Sequence, residues 1–189
     1  RTTPLEESLE AFHRLVQAGK VRFIGASNYL AWRLEQARAI SEAHQWAHYC
    51  CVQQHYTYLR LRAGMNVAPQ EMVNDDLLDY IAARGLTLLA YSVLQSGSYA
   101  RADRPFRAEL RSLDNGRRLE TLAAVAQEVG ATVNQVVIKW MLDRNVIPLI
   151  AASSEAQLAE NLAALDVTLS AAHMERLNRA GTDWDGRMA

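Results

Sequence analysis

At 189 residues the chain is long enough to bury a substantial core, as one large domain or as part of one. It is 50% hydrophobic and 22% charged with a formal net charge of -1, so it carries no electrostatic footprint for nucleic acid and no basic stripe. No apolar run reaches the length of a membrane span, and the first residues do not read as a basic-then-apolar leader.

Taken in order, the chain alternates helix and strand. Thr3-Pro4-Leu5-Glu6 reads as a capping box with proline at the first helical position. Leu5, Leu9, Phe12, Leu15 and Val16 recur at helical spacing, and Gly19 stops the helix. Val21 to Ala26 predicts a strand leading into Ser27 and Asn28, and a helix from Leu30 to about Ala43 follows, with Leu34, Ala37 and Ile40 on one face. Tyr49 to Gln53 predicts a second strand. Its adjacent Cys50 and Cys51 would face opposite sides. They set up neither a disulfide framework nor a metal site, and read as buried, reduced thiols in a cytoplasmic protein.

Tyr56 to Gln70 has no clean period and reads as a loop, and Asn74 to Arg84 as a helix closed by Gly85. Leu86 to Ala90 is an apolar run too short for a buried helix, which predicts a strand covered on both faces. Residues 98–116 are irregular, and Arg101, Arg104 and Arg107 there, interrupted by Asp103 and Pro105, read as a solvated loop. Arg117 to Val129 is a predicted helix stopped by Gly130. Thr132 to Gln135 is a second capping box, opening a helix that buries Val136, Val137 and Trp140. A fourth strand, Val146 to Ile150, leads to Ser153 and Ser154 and a helix from Glu155 to Leu165. Ser170 caps a last helix with Met174 and Leu177 inward. Four apolar strands alternating with helices imply parallel pairing through right-handed crossovers. No internal repeat and no linker-like boundary interrupts the chain.

The stretch from Leu86 to Gly97 organises the functional reading. Polarity changes abruptly at Tyr91, Ser92, Gln95, Ser96 and Gly97, just past a strand. A flat ring, hydroxyls, loop amides and a glycine suit a ligand site at a strand's carboxyl end. The other strands end alike, in Ser27 and Asn28, in Gln53, and in Ser153 and Ser154. In a parallel sheet these ends share one side, where hydroxyls and carboxamides match an amide such as nicotinamide and a helix amino end favours phosphate. Asn28 and Ser154 read equally as helix caps, Ser154 through a box with Gln157. The histidines show no metal-type pairing. No nucleophile elbow, zinc-protease motif or phosphate loop ending in Gly-Lys is present.

These segments resemble the second half of an aldo-keto reductase. TPLEESLEAFHRLVQAGKVRFIGASNY resembles that family's helix, strand and G-V-S-N turn, and VQQHYTYL its sixth strand. LLAYSVLQSG resembles its L-A-Y-S-P-L-x-x-G, and VIPLIAASSEAQLAENLAAL its eighth strand and following helix. The resemblance implies an α/β fold of the (β/α)8 TIM-barrel type, of which this chain supplies the C-terminal four βα units plus a C-terminal helix; such a barrel typically needs about 250 residues. It implies NADPH bound across the carboxyl ends, with NAD not excluded. By position, Ser27, Asn28 and Gln53 would hold the nicotinamide carboxamide, and Tyr91 would stack on the ring. Ser92, Leu94, Ser96 and Gly97 would line the pyrophosphate, and Ala151, Ser153, Gln157, Glu160 and Asn161 the adenosine end.

The departures carry information too. All four members of the family's Asp-Tyr-Lys-His tetrad belong ahead of the TPLEES helix, so no catalytic residue is expected here. Gln157 stands where others place an arginine for the 2'-phosphate, Ala151 where a glycine or lysine is usual, and Ser98 where some members carry lysine. The chain begins at Arg1, not methionine, which reads as a processed or partial chain. The chain is expected to be the C-terminal part of a longer reductase, given without its first half, and that whole is expected to reduce aldehydes or ketones to alcohols. The alternative is a non-catalytic half-barrel that self-associates or pairs with a partner. Trp184 reads as a tail aromatic packing on the barrel or as a pocket wall.

Overall fold

The structure, a computed structural model, describes residues 3–181; Trp184 lies outside them. Four strands, β1 (Ile24–Ser27), β2 (Tyr49–His55), β3 (Thr87–Tyr91) and β4 (Val146–Pro148), form one sheet in the order β1-β2-β3-β4. Among the described residues seven α-helices accompany them: α1 (Leu5–Gln17), α2 (Ala31–His44), α3 (Asp75–Arg84), α4 (Leu113–Glu128), α5 (Val133–Leu142), α6 (Glu155–Leu162) and α7 (Ala171–Arg179). The chain forms two compact units, Arg1–His55 with Ala68–Leu89, and Tyr56–Val67 with Ala90–Ala189. One division falls inside β3, which is why no linker composition marks it.

In the first unit, β1 and β2 pair in parallel, with Gly25 opposite Cys51 and Ser27 opposite Gln53. The strand side chains sort by face. Ile24, Ala26, Val52 and Gln54 are buried, while Ser27 is exposed and Gln53 half-buried. Leu5 and Leu9 of α1 form a core cluster with Ala37 of α2. The helix ends where expected: Gly19 adopts φ 68° and its amide donates to the Val16 carbonyl. Asn74 caps α3 by accepting the Leu77 amide at 2.9 Å, and Gly85 closes it in the left-handed region.

Several expectations need correction here. No Thr3–Glu6 capping box forms; Pro4 itself is the cap residue, and its carbonyl accepts the Ser8 amide. Phe12, on the same face as Leu5 and Leu9, and Leu15 both remain over a third exposed. β1 begins at Ile24, because Val21 to Phe23 find no strand partner and Phe23 is 75% exposed. Cys50 is exposed and Cys51 half-buried, both free thiols; burial, with Cys50 next to it, pushes the Cys51 thiol up.

An acid-sensitive joint ties α2 to α3. The Glu35 carboxylate accepts from Arg38 at 2.7 and 2.9 Å, from the Tyr80 hydroxyl at 3.1 Å and from Arg84 at 3.2 Å. The Arg38 hydrogen bond, above all, holds its pKa down from the usual 4.5 to about 2. A depressed carboxyl contributes stability that is complete above the unfolded pKa and is lost as pH falls through the folded one. Urea midpoints therefore fall between about pH 4.5 and 2 more steeply in the wild type than in Glu35→Gln. Equal slopes would rule out this joint as an acid-sensitive element.

The second unit packs around Tyr58, Leu122, Val125, Val136, Trp140, Met141 and Leu177, all nearly inaccessible. Arg118, 2% exposed, lies 4.1 Å over the Tyr58 ring and donates to the carbonyls of Tyr58 at 2.9 Å and Ala180 at 2.7 Å. Burial pushes its pKa down, and the aromatic face and carbonyls offset that cost. The capping boxes of α5, through Thr132 and Gln135, and of α7, through Ser170 and His173, both form.

Here too the boundaries move. α4 starts at Leu113, four residues before Arg117, because Ser112 caps it by accepting the Asn115 amide. A short 3-10 turn, Ala108–Leu110, interrupts the irregular stretch. β4 spans three residues, not five, and α6 stops at Leu162, continuing as a 3-10 turn at Ala163–Asp166. β3 alternates: Leu88 and Ala90 are buried, Thr87 is exposed, and Leu89 and Tyr91 are half-buried. It is covered on one face, not both.

Candidate functional site

In the first unit the ends of β1 and β2 bring Ser27, Asn28 and Gln53 together. Ser27 and Gln53 are register partners, and in a parallel pair that places their side chains on one face. Asn28 follows in the left-handed region at φ 57°, where asparagine is among the few side chains tolerated. Its amide donates to the Gln53 carbonyl at 3.2 Å, and its Nδ2 donates to Ser27 Oγ at 3.2 Å. Its Oδ1 accepts the Glu71 amide at 3.0 Å. The cap residue of α2 is Leu30, which offers no side-chain bond, so the capping alternative for Asn28 does not hold. Asn28 instead locks the β1 exit to the segment around Glu71. Among the described residues no side-chain partner engages the Gln53 carboxamide, whereas Gln54 faces the other way, fully buried, with Nε2 on the Tyr29 carbonyl at 3.3 Å.

In the second unit, β3 ends at Tyr91 in a strained loop. Ser92, Gln95, Ser96 and Gly97 have φ of 56°, 49°, 56° and 90°. Only the glycine takes that region freely; each of the others costs on the order of 1–3 kcal/mol. The loop is braced from below. Thr57 Oγ1 lies 2.8 Å from the Val93 carbonyl and 2.7 Å from the Tyr99 hydroxyl, which also accepts the Leu59 amide at 3.3 Å. Burial raises the Tyr99 phenol, so it stays protonated. The amides of Gln95, Gly97, Ser98 and Ala100 donate to turn carbonyls, which leaves those of Leu94 and Ser96 outside that set.

β4 runs beside the end of β3, since the Leu149 amide donates to the Ala90 carbonyl at 2.8 Å. The structure thus brings the Tyr91–Gly97 loop and the Ala151–Ser154 exit to neighbouring strand ends. At the start of α6, Ser154 accepts the Gln157 amide at 3.3 Å, while Gln157 Oε1 accepts the Ser153 amide at 2.8 Å. The cap expected of Ser154 forms, with the reciprocal bond shifted to Ser153. Glu160 is held from α5: Thr132 Oγ1 donates to its Oε1 at 3.0 Å, and Gln135 Nε2 to its carbonyl at 3.0 Å. Asn161 is half-buried beside it.

Sequence reasoning missed Arg104. Its Nη1 donates to the Ser96 carbonyl at 2.8 Å, and nothing in the spacing of residues 96 and 104 signals that contact. It also missed the Thr57–Tyr99 brace, because 42 residues separate the two hydroxyls. A cavity of about 520 Å³ lies on the outer helices between Gly130, Gln135, Asp166 and Thr168; none of the expected cofactor residues lines it. Among the described residues no group of three or more His, Cys, Asp or Glu is placed to hold a metal, and no helix is long and apolar enough to cross a membrane.

Over residues 1–181 the chain matches the Aldo/keto reductase family. It is 31% identical to the uncharacterized oxidoreductase YrpG of Bacillus subtilis, a match covering 94% of this chain and 54% of that protein. It is 26% identical to an aryl-alcohol dehydrogenase (NADP(+)) of Phanerodontia chrysosporium, covering 94% of this chain and 48% of the other. The crystal structure of a thermostable aldo-keto reductase, Tm1743, superposes with a TM-score of 0.70 at 29% identity, over 93% of this chain and 54% of that one. The chain spans about half the length of the curated relatives it matches. With a match over nearly its whole length, on an α/β fold with a parallel sheet, the chain belongs to the aldo/keto reductase family.

Proposed function

We propose that this chain is the cofactor-holding, C-terminal portion of an NADP(H)-dependent oxidoreductase that reduces aldehydes or ketones to alcohols. In the complete (β/α)8 barrel it supplies four βα units and a C-terminal helix, and it carries none of the catalytic tetrad. The observation that bears most weight is the Ser92–Gly97 loop. Three L-residues held in left-handed conformations at a strand's carboxyl end are strain that a fold keeps where a ligand uses the backbone.

The residues present fit a nicotinamide dinucleotide. In the first unit Gln53 offers an unengaged carboxamide with both donor and acceptor atoms and Ser27 a hydroxyl on the same face; in the second unit Tyr91 offers a ring at the end of β3. Ser92, Leu94, Ser96 and Gly97 suit the pyrophosphate. Ala151, Ser153, Gln157, Glu160 and Asn161 suit the adenosine end. NADPH, when bound, supplies the hydride; the proton comes from the tetrad tyrosine outside this chain. Gln157 brings no positive charge to a 2'-phosphate, so the NADP reading leans on the family and NAD remains the competing cofactor. A cytoplasmic location fits two free thiols.

Titrating NADPH and following its fluorescence tests this reading. Gln53→Ala and Tyr91→Ala each weaken binding about tenfold, by loss of two hydrogen bonds and of a stacking face respectively. Unchanged affinity in both variants would sink the assignment. A second reading, a non-catalytic half-barrel that associates with a partner or a second copy, draws on α6. That helix buries no residue, and Leu158 and Leu162 are 51% and 56% exposed. NADPH binding with no turnover of a generic aldehyde by the protein as its source produces it would favour that reading.

A further inference from the structure

We propose that Cys50 and Cys51 form a paired-thiol site at the amino end of β2 that chelates trivalent arsenic, taken as arsenite or as an organoarsenical. The inference does not rest on the cofactor reading, because neither residue belongs to the site described above.

Neighbouring residues of a flat strand point to opposite faces, which would keep two adjacent thiols apart. The pairing of β1 with β2 departs from that rule here. Ile24 stands opposite Tyr49 and Gly25 opposite Cys51, so Cys50 is left as the extra residue of a bulge, a device that re-aims a side chain. Burial shows the result. On a flat strand Cys50 would share the face of Val52 and Gln54, which are both fully buried, yet Cys50 is exposed.

Both sulfurs then lie against one short segment of β1. Cys50 Sγ donates to the Ile24 carbonyl at 3.4 Å. Cys51 Sγ occupies the space that a side chain at Gly25 would need. Burial, and then the charge and hydrogen bond of Cys50, push the Cys51 thiol up. A thiol kept protonated is a slow nucleophile toward single-site reagents. A three-coordinate arsenic oxide suits the pair better. Each thiol gives its proton to the oxygen on arsenic, two As–S bonds replace the bonds to that oxygen, and one water leaves, with no electron transferred. Cys50, the more exposed, makes the first bond. The second is then intramolecular, and its high effective concentration offsets the sluggish Cys51 thiol. Arsenic(III) is pyramidal, so it closes a narrow angle between two neighbouring sulfurs.

The test uses the protein as its source produces it, with phenylarsine oxide as the probe and iodoacetamide to tag every thiol left free. Both cysteines of the peptide carrying Cys50 and Cys51 are spared from alkylation. A small dithiol restores their labelling, and a monothiol at the same concentration does not. Cys50→Ser and Cys51→Ala each weaken phenylarsine oxide binding about a hundredfold, the loss expected when a chelate becomes a single bond. Cys50 is exposed, so Cys50→Ser probes the chelate without disturbing the core, and protection of the wild type needs no variant at all. Protection of only one of the two cysteines, or unchanged affinity in Cys50→Ser, overturns the paired site. Protection that appears only after unfolding in urea also overturns it, since the fold would then hold the two sulfurs apart.

Discussion

Asn115→Ala lowers the unfolding free energy of the second unit by about 3–5 kcal/mol. Asn115 is 2% exposed and closes three hydrogen bonds with its side chain. Its Oδ1 accepts the Arg60 amide at 3.0 Å, and its Nδ2 donates to the carbonyls of Arg60 at 2.7 Å and Leu110 at 2.6 Å. Alanine removes all three partners at once and strands one amide and two carbonyls. Each stranded buried group costs about 1–3 kcal/mol, partly recovered where water reaches Arg60 near the surface. Denaturation followed by the fluorescence of Trp140, buried in the same unit, reads the effect. A loss below about 1 kcal/mol would mean that the loop carrying Arg60 is not anchored through this side chain.

Gly25→Ala is expected to destabilise the first unit by about 1–3 kcal/mol and to weaken NADPH binding with it. An added methyl would stand 2.9 Å from the Cys51 carbonyl oxygen and collide with its Sγ. The sulfur can rotate away, but the carbonyl belongs to β2 and cannot. β1 must therefore shift against β2, and the pairing of Ser27 with Gln53 lies two residues along the same register. Gly19→Ala is a contrast, since nothing lies within 4 Å of its missing methyl; its cost is backbone strain alone, and cofactor affinity stays unchanged. Adding Cys51→Ala to Gly25→Ala separates the contacts. Full recovery of stability would show that the sulfur, not the backbone, sets the limit.

These two sites show how a sequence can declare an element and hide its reason. Gly25 was legible only as part of a strand and family motif; that it marks a close approach emerges once Cys51 lies opposite. Asn115 sat inside a segment expected to be irregular. Its segment became helix because Ser112 caps it, and its side chain acts on Arg60, 55 residues away. The capping box at Thr132 and the cap at Ser170 were legible because each joins residues three apart, whereas the reciprocal bond from His173 to Ser170 was not read from the sequence. The box at Thr3 failed although the letters match, since Pro4 took the cap position.

By itself the sequence determined the alternation of helix and strand, the local caps, the glycine stops, and the polar residues at strand ends, because those depend on contacts within a few residues. Tertiary structure alone decided which face of each strand is covered, that Asn28 holds Glu71 instead of capping α2, that Glu160 is tied to Thr132, and that Arg104 reaches Ser96. Each of those depends on side chains distant in sequence meeting in space, and hydrophobic period and turn chemistry describe only what lies nearby along the chain.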